Sequence, residues 1–187
     1  MIRWLLLLLG GVLLGGIVHL ATIFFLPRTA TQDAYSRLTP IAPVNRVVAL
    51  PAPAAEKAVM PFMDPAFAEA VCRYDLANGP LKLTVPVSNA YTSVSFYTHN
   101  DIAYYAINDR AAGRRAIELD LMTAEQRSEL PENEDVTAAD LLIVESPTLT
   151  GLVTIRALAP EPALMPIAQN IVAGATCAKF NLPSKSD

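Results

Sequence analysis

A chain of 187 residues with 52% hydrophobic side chains and a formal charge of -4 has room for one domain plus accessories, but not for two full cores. The apolar excess sits in the first 26 residues, and beyond Arg28 there are 12 basic residues against 18 acidic ones, a net of about -6. That balance excludes nucleic acid as a partner, because a polyanion needs clustered Lys and Arg to displace its counterions.

Leu5 to Leu26 supplies 22 residues without a formal charge. At 1.5 Å per residue this is about 33 Å of helix, enough to cross a hydrocarbon core of ~30 Å. A cleaved signal peptide would have a shorter apolar region and a small-x-small exit, whereas this run leaves through Leu26, Pro27 and Arg28. The expected reading is an uncleaved single-pass anchor over residues 1–28, in the inner membrane of a bacterium. Arg3 and Trp4 then mark the cytoplasmic side, and the C-terminal domain is periplasmic. Gly11 and Gly15, flanked by Gly10 and Gly16, form a small-xxx-small face through which two such helices could pair into a homo-oligomer.

Residues 29–62 read as a Pro-rich linker. Seven prolines between Pro27 and Pro65 forbid a continuous helix and favour extended chain, although Val47, Val48 and Leu50 are apolar enough to dock on the domain. The domain itself is expected over 63–180, with 181–187 as a tail. Asp64 followed by Pro65 predicts a helix start, with Phe67 and Val71 on one face and an end before Asn78-Gly79-Pro80.

Period-two alternation then predicts strands at Leu81–Val85 and Ile117–Leu121. Tyr91–Thr98 and Ile102–Asn108 predict a hairpin turning at His99-Asn100-Asp101, and Leu141–Val144 and Leu152–Leu158 a further pair. Leu164, Ile167, Ala168, Ile171, Val172 and Ala175 recur at helical spacing and predict a closing helix. The fold class is mainly β (α+β): an antiparallel sheet or sandwich with two packing helices.

Cys72 and Cys177, the two cysteines of the chain, fall near the ends of the two predicted helices. Two helices on one sheet could bring them together as a disulfide in an oxidising compartment; two buried free thiols are the alternative. Neither has a second Cys or His at ligand spacing, so no metal is assigned.

Chemistry is poorly provided for. His99, the one histidine outside the anchor, lies at a predicted turn tip with Ser93, Ser95, Asp101 and Asp109 near it in sequence, where nothing excludes water. The acidic run Glu118, Glu125, Glu129, Glu132, Glu134 and Asp135 reads as a solvated loop rather than a cation site. No Gly-rich phosphate loop, HExxH or EF-hand spacing occurs, so no cofactor and no catalytic residue is assigned, and the chain is read as a non-enzyme. More suggestive is the strand Tyr91–Thr98. Tyr91, Ser93, Ser95 and Tyr97 project to one side and Val94 and Phe96 to the other, so a polar-aromatic face is available for a sugar ring, a lipid or a protein. Arg110 is kept beside it as a candidate contact; with Arg114 and Arg115 it otherwise reads as a solvated turn.

Three phrases carry a family resemblance: CRYDLANGPLKLTVPV, YTSVSFYTHNDIAYYAINDRAAGRR and LIVESPTLTGLVTIRALAPEP. Through them the run from Cys72 to Pro160 resembles the short membrane-anchored members of the domain of unknown function 1254 family. The resemblance implies a β-rich, jelly-roll-like domain. Larger relatives carry a second β-domain, of the family numbered 1214, and no catalytic residues come with the resemblance. The function expected is therefore assembly in the cell envelope with a second membrane-anchored protein that supplies a 1214-like β-domain. The alternative is a lipid- or glycan-binding module using the tyrosine face.

Overall fold

The computed structural model describes residues 1–29, 33–54, 58–112, 116–130 and 142–180, in two units, Met1–Asp33 and Ala34–Asp187. The first unit is helix α1 (Ile2–Thr29). Ile2–Leu26 has a mean hydropathy of 2.2 and none of its surface is buried in protein. At roughly 25 cal/mol per Å² such a surface is costly to leave in water, so it requires an apolar environment. In length and composition it meets the requirements of a membrane anchor and of a signal sequence alike.

The second unit is a β-sandwich. Helix α2 (Ala34–Leu38) leads into β1 (Val47–Ala49), β2 (Phe67–Asp75), β3 (Leu81–Pro86), β4 (Thr92–Thr98) and β5 (Ala103–Asn108). The short helix α3 (Asp109–Ala112), β6 (Ala116–Thr123), helix α4 (Ala124–Ser128), β7 (Leu142–Ser146), β8 (Thr150–Leu158), helix α5 (Met165–Ala173) and β9 (Thr176–Lys179) follow. Five strands form one sheet in the order β1-β2-β8-β4-β5, and four form the other in the order β7-β6-β3-β9. All pairs are antiparallel except β6 with β7.

Alternation explains the layers. Leu81, Leu83 and Val85 pair across β3 and β6 with Leu121, Leu119 and Ile117, all buried. From the five-stranded sheet, Val94, Phe96, Val153 and Ile155 fill the space between the sheets. Where α5 closes the sandwich the sheet residues are small, with Ala68, Ala70, Ala157 and Ala159 in one cluster with Ala168 and Val172 of the helix. Missing side-chain volume on the strands lets the helix approach the backbone.

The expected β-rich sandwich is what the chain forms, but the helix expected after Asp64-Pro65 is β2 instead. Asp64 does not cap a helix; its carboxylate accepts from the Ala66 amide at 2.9 Å in a tight turn, and its carbonyl from the Phe67 amide. The alternation of Ala68, Ala70, Cys72 and Tyr74 inward was concealed by small alanines, and the four-residue spacing of Phe67 and Val71 is a coincidence of two odd positions. Of the helices that do pack on the sheets, α5 ends at Ala173, so Cys177 lies on β9 rather than on the last helix, while α2 contributes Leu38, which is fully buried.

The Cys72–Cys177 disulfide is formed, with 6.6 Å between the Cα atoms. It joins β2 of one sheet to β9 of the other across the core. A second tie is polar. The buried Tyr74 hydroxyl lies 3.0 Å from the Ser146 hydroxyl, 3.2 Å from that of Tyr104 and 3.2 Å from the carbonyl of Tyr97, which accepts from it. Burial, followed by the neighbouring Tyr74, pushes the Tyr104 phenol far above its ordinary range, so it stays a donor. Gly151 sits opposite Tyr74 in the ladder, and a Cβ there would collide with the Tyr74 ring and the Tyr97 carbonyl, which is why a strand interior accepts glycine.

Closing a loop of 105 residues, the disulfide should be worth about 4 to 5 kcal/mol. Replacing both cysteines (Cys72→Ala with Cys177→Ala) should lower the denaturant midpoint and, because the freed unfolded chain expands, raise the m-value, and an unchanged midpoint would show that the bond constrains nothing.

Candidate functional site

The outer face of the five-stranded sheet is divided in two. One part is covered by the segment that precedes β2. Leu38 and Ala42 are buried against Val71 and Leu152, with Val48, Leu50, Val59, Met60 and Tyr97 packed around them. Arg73 points into this cover, and its Nη1 donates to the carbonyls of Ala42 at 3.0 Å and Thr39 at 3.3 Å, while its guanidinium lies 4.4 Å from the centroid of the Tyr35 ring. Asn45, at φ 59°, completes the strap: its Nδ2 donates to the Asp75 carbonyl and its Oδ1 accepts from the Asp75 amide, mimicking one more strand residue.

The other part is open. Between β4, β5 and α3 lies a groove of about 390 Å³ lined by Phe67, Tyr91, Ser93, Ser95, Asn108 and Arg156, with Ala106, Ile107 and Ala111 completing the wall. The ladder explains the meeting. Ser93 is paired with both Asn108 of β5 and Arg156 of β8, and Arg156 is in turn paired with Glu69 of β2, so these four form one row across four strands. Cross-strand partners share a face, which aims them all outward. Phe67 and Tyr91 meet edge to face at 6.5 Å.

Arg156 Nε pairs with Glu69 Oε1 at 3.0 Å; Glu69 is almost covered, with 10% of its side chain exposed, whereas Arg156 is half exposed. Burial raises the Glu69 carboxyl above its ordinary value; Arg156 opposes this and Asp64 adds to it. Ser93 and Ser95 make no side-chain hydrogen bond among the described residues, and Asn108 uses only Oδ1, which accepts from the Ala111 amide at 3.0 Å. Among the described residues the groove therefore presents hydroxyls and amide hydrogens without internal partners, beside a guanidinium held by Glu69 alone. A second depression, between Pro53, Pro65, Pro160, Pro162 and Met165, is larger at about 480 Å³ but has no polar side chain in its wall.

Of the residues singled out from the sequence, the structure brings Tyr91, Ser93 and Ser95 together in the groove. Tyr97 lies on the same face two rows along, under the strap. Arg110 is exposed on α3 next to Ala111 and is not part of the groove wall; Arg114 and Arg115 lie outside the described residues. His99 is exposed at the β4–β5 turn with its ring 4.3 Å from that of Tyr35, and Asp101 accepts from the Ala34 amide at 2.9 Å, so both engage the strap rather than Ser93 or Ser95. Glu118, Glu125 and Glu129 are exposed, Glu132, Glu134 and Asp135 lie outside the described residues, and no three metal-binding side chains gather among the described residues. At Gly11 and Gly15 an added Cβ would meet nothing within 4 Å, so that face of α1 is open. Phe67, Glu69 and Arg156 were missed because they meet the groove only through the pairing of β2, β8 and β4, which is distant in sequence, and Asn108 because its place opposite Ser93 needs the register of the β4–β5 hairpin.

The fold and groove define a two-sheet sandwich domain with an open depression on one outer face. The chain belongs to the family described as protein of unknown function (DUF1254), which matches residues 44–179. A crystal structure of a Vibrio parahaemolyticus protein is similar at 14% identity and a TM-score of 0.57, over 82% of this chain and 37% of that one. An uncharacterised Burkholderia cenocepacia protein matches at 14% identity and a TM-score of 0.46, over 68% of this chain and 34% of that one. The chain thus spans little more than a third of the solved structures it matches, and no curated protein matches it.

Because the folded Glu69 carboxyl titrates above the unfolded value of about 4.5, its contribution to stability is complete below that value and is lost as pH rises through the folded one. Glu69→Gln removes this dependence. In paired thermal melts between about pH 4 and pH 7, the stability of the variant relative to the parent should rise with pH; a relative stability that falls over the interval would refute the assignment.

Proposed function

We propose that the domain is a non-enzymatic binding module of the bacterial cell envelope, and that its outer-face groove holds a saccharide. The observation that carries this is the groove that Asn108, Ser93 and Arg156 form with Phe67 and Tyr91: hydrogen-bond donors still open beside two aromatic rings, in a depression within the usual range of roughly 300 to 1,000 Å³. An apolar ring flanked by hydroxyl-rich chemistry suits a sugar, whose faces stack on aromatics while its hydroxyls take hydrogen bonds. The apolar helix α1 and the disulfide support an inner-membrane anchor with a cytoplasmic N-terminus and a periplasmic domain. Full-length protein in detergent micelles, applied to a glycan array, should retain a subset of glycans. Ser95→Trp, which fills the groove from an outward-facing position, should abolish that retention without lowering the melting temperature; equal retention by the variant, or none by the parent, would remove the groove reading. A lipid headgroup as the true ligand would appear as retention on vesicles but not on the array.

A second reading is assembly with another membrane-anchored envelope protein carrying a 1214-like β-domain. Its support is that the Vibrio protein extends well beyond the part this chain matches, so the sandwich occurs there alongside further protein. Affinity purification from mild detergent should then recover a stoichiometric second protein, or a second copy of this chain if the Gly11/Gly15 face pairs. The bare monomer would count against both.

A further inference from the structure

We propose that the saccharide held by the outer-face groove carries a carboxylate, and that Arg156 is the residue that reads it; this rests on the groove being the binding site. The groove is biased toward donors. Asn108 spends its oxygen on the Ala111 amide at 3.0 Å, which leaves its two amide hydrogens without a partner among the described residues. Ser93 and Ser95 can donate, and neither hydroxyl has a partner among the described residues. Among the described residues lining the groove, Arg156 is the charged one. It is held through Nε by Glu69 at 3.0 Å and has no second protein partner among the described residues.

The two charges of that pair are not equally presented. The Glu69 side chain is 10% exposed and that of Arg156 is 50% exposed, so a ligand arriving from solvent encounters the guanidinium while the carboxylate lies behind it. Glu69 acts as a positioning residue: it fixes one edge of a planar fork and leaves the donors of the other edge available, the geometry that a second carboxylate takes in two parallel hydrogen bonds. A donor-rich wall calls for a ligand rich in acceptors. Phe67 and Tyr91, edge to face at 6.5 Å, supply what a bare anion would not use, an apolar surface for the face of a ring. Acidic sugar is the chemistry that satisfies both halves, while inorganic phosphate satisfies only the first.

The test is calorimetric titration of the full-length protein in micelles with three probes: digalacturonate, its neutral counterpart galactobiose, and inorganic phosphate. The parent should bind digalacturonate about tenfold to a hundredfold tighter than galactobiose, the scale of a charge-assisted hydrogen bond. The double variant Glu69→Gln with Arg156→Gln, which leaves no unpaired buried charge, should bind both disaccharides equally and melt like the parent. Should it fail to fold, Arg156→Lys serves instead, and loss of most of the preference for the acid is expected. Tyr91→Ala should weaken both disaccharides by similar factors. Equal binding of the two disaccharides by the parent overturns the acidic assignment while leaving the groove reading intact. Phosphate binding as tight as digalacturonate overturns the sugar assignment and leaves a plain anion site. Binding of none of the three overturns the acidic-sugar assignment, and the glycan array then decides whether the groove reading falls with it.

Discussion

Nine consecutive residue pairs, from Phe67 with Leu158 to Asp75 with Thr150, lock β2 against β8, and almost every feature of the domain is set by that register. Even positions of β2 face the core and odd positions face outward. Ala70, Cys72 and Tyr74 therefore enter the interior, while Glu69, Val71 and Arg73 lie on the outer surface. A slip of one residue would exchange the two sets, placing Arg73 and Glu69 between the sheets and turning Cys72 away from Cys177. The same ladder lines up Glu69 with Arg156 and Tyr74 with Gly151. The groove and the buried tyrosine network are thus two consequences of one alignment, seen from opposite faces of one sheet.

That sheet also shows how an outward face can be shared between structure and function. Toward Arg73 and Tyr97 it is roofed by the strap, whose carbonyls receive the guanidinium and whose apolar side chains cover Val71 and Leu152. Toward Ser93 and Arg156 no described segment covers it. The division falls within a single strand: Tyr97 is absorbed in packing, and Ser93 and Ser95, four and two residues earlier on the same side, are not. Arg73 and Arg156 differ in the same way, one covered and held by two backbone carbonyls and an aromatic ring, the other half exposed and held by a single carboxylate. A side chain drawn under a covering segment holds the fold, and one with open donors at the surface remains available.

Much of the sandwich could be read from the chain. Where the inward residues are large, as in Leu81-Leu83-Val85 or Val94-Phe96, alternation was visible and the strands were placed within a residue or two. It was invisible in β2, where the inward positions Ala68 and Ala70 are small because α5 needs the room; a residue chosen for the volume it does not occupy carries no hydrophobic signal. β9 and β1 are short edge strands of four and three residues, too brief for a period to show. Of the groove, the tyrosine and serine side of β4 was legible because all its members lie on one strand. Its charged half was not, since Arg156 reads as an isolated base in an apolar strand until β2 and β4 are set on either side of it.

The bond between Cys72 and Cys177 has a consequence for biogenesis. Its two halves belong to the second strand and the last, so the covalent link can close only after nearly the whole domain has been delivered. These 187 residues hold just two cysteines, so the domain offers Cys72 no alternative partner while it waits for Cys177. There is no wrong pairing inside the domain for an isomerase to sort. Oxidation that comes too early has to join Cys72 to a thiol outside the domain, so quality at this step depends on timing rather than on proofreading.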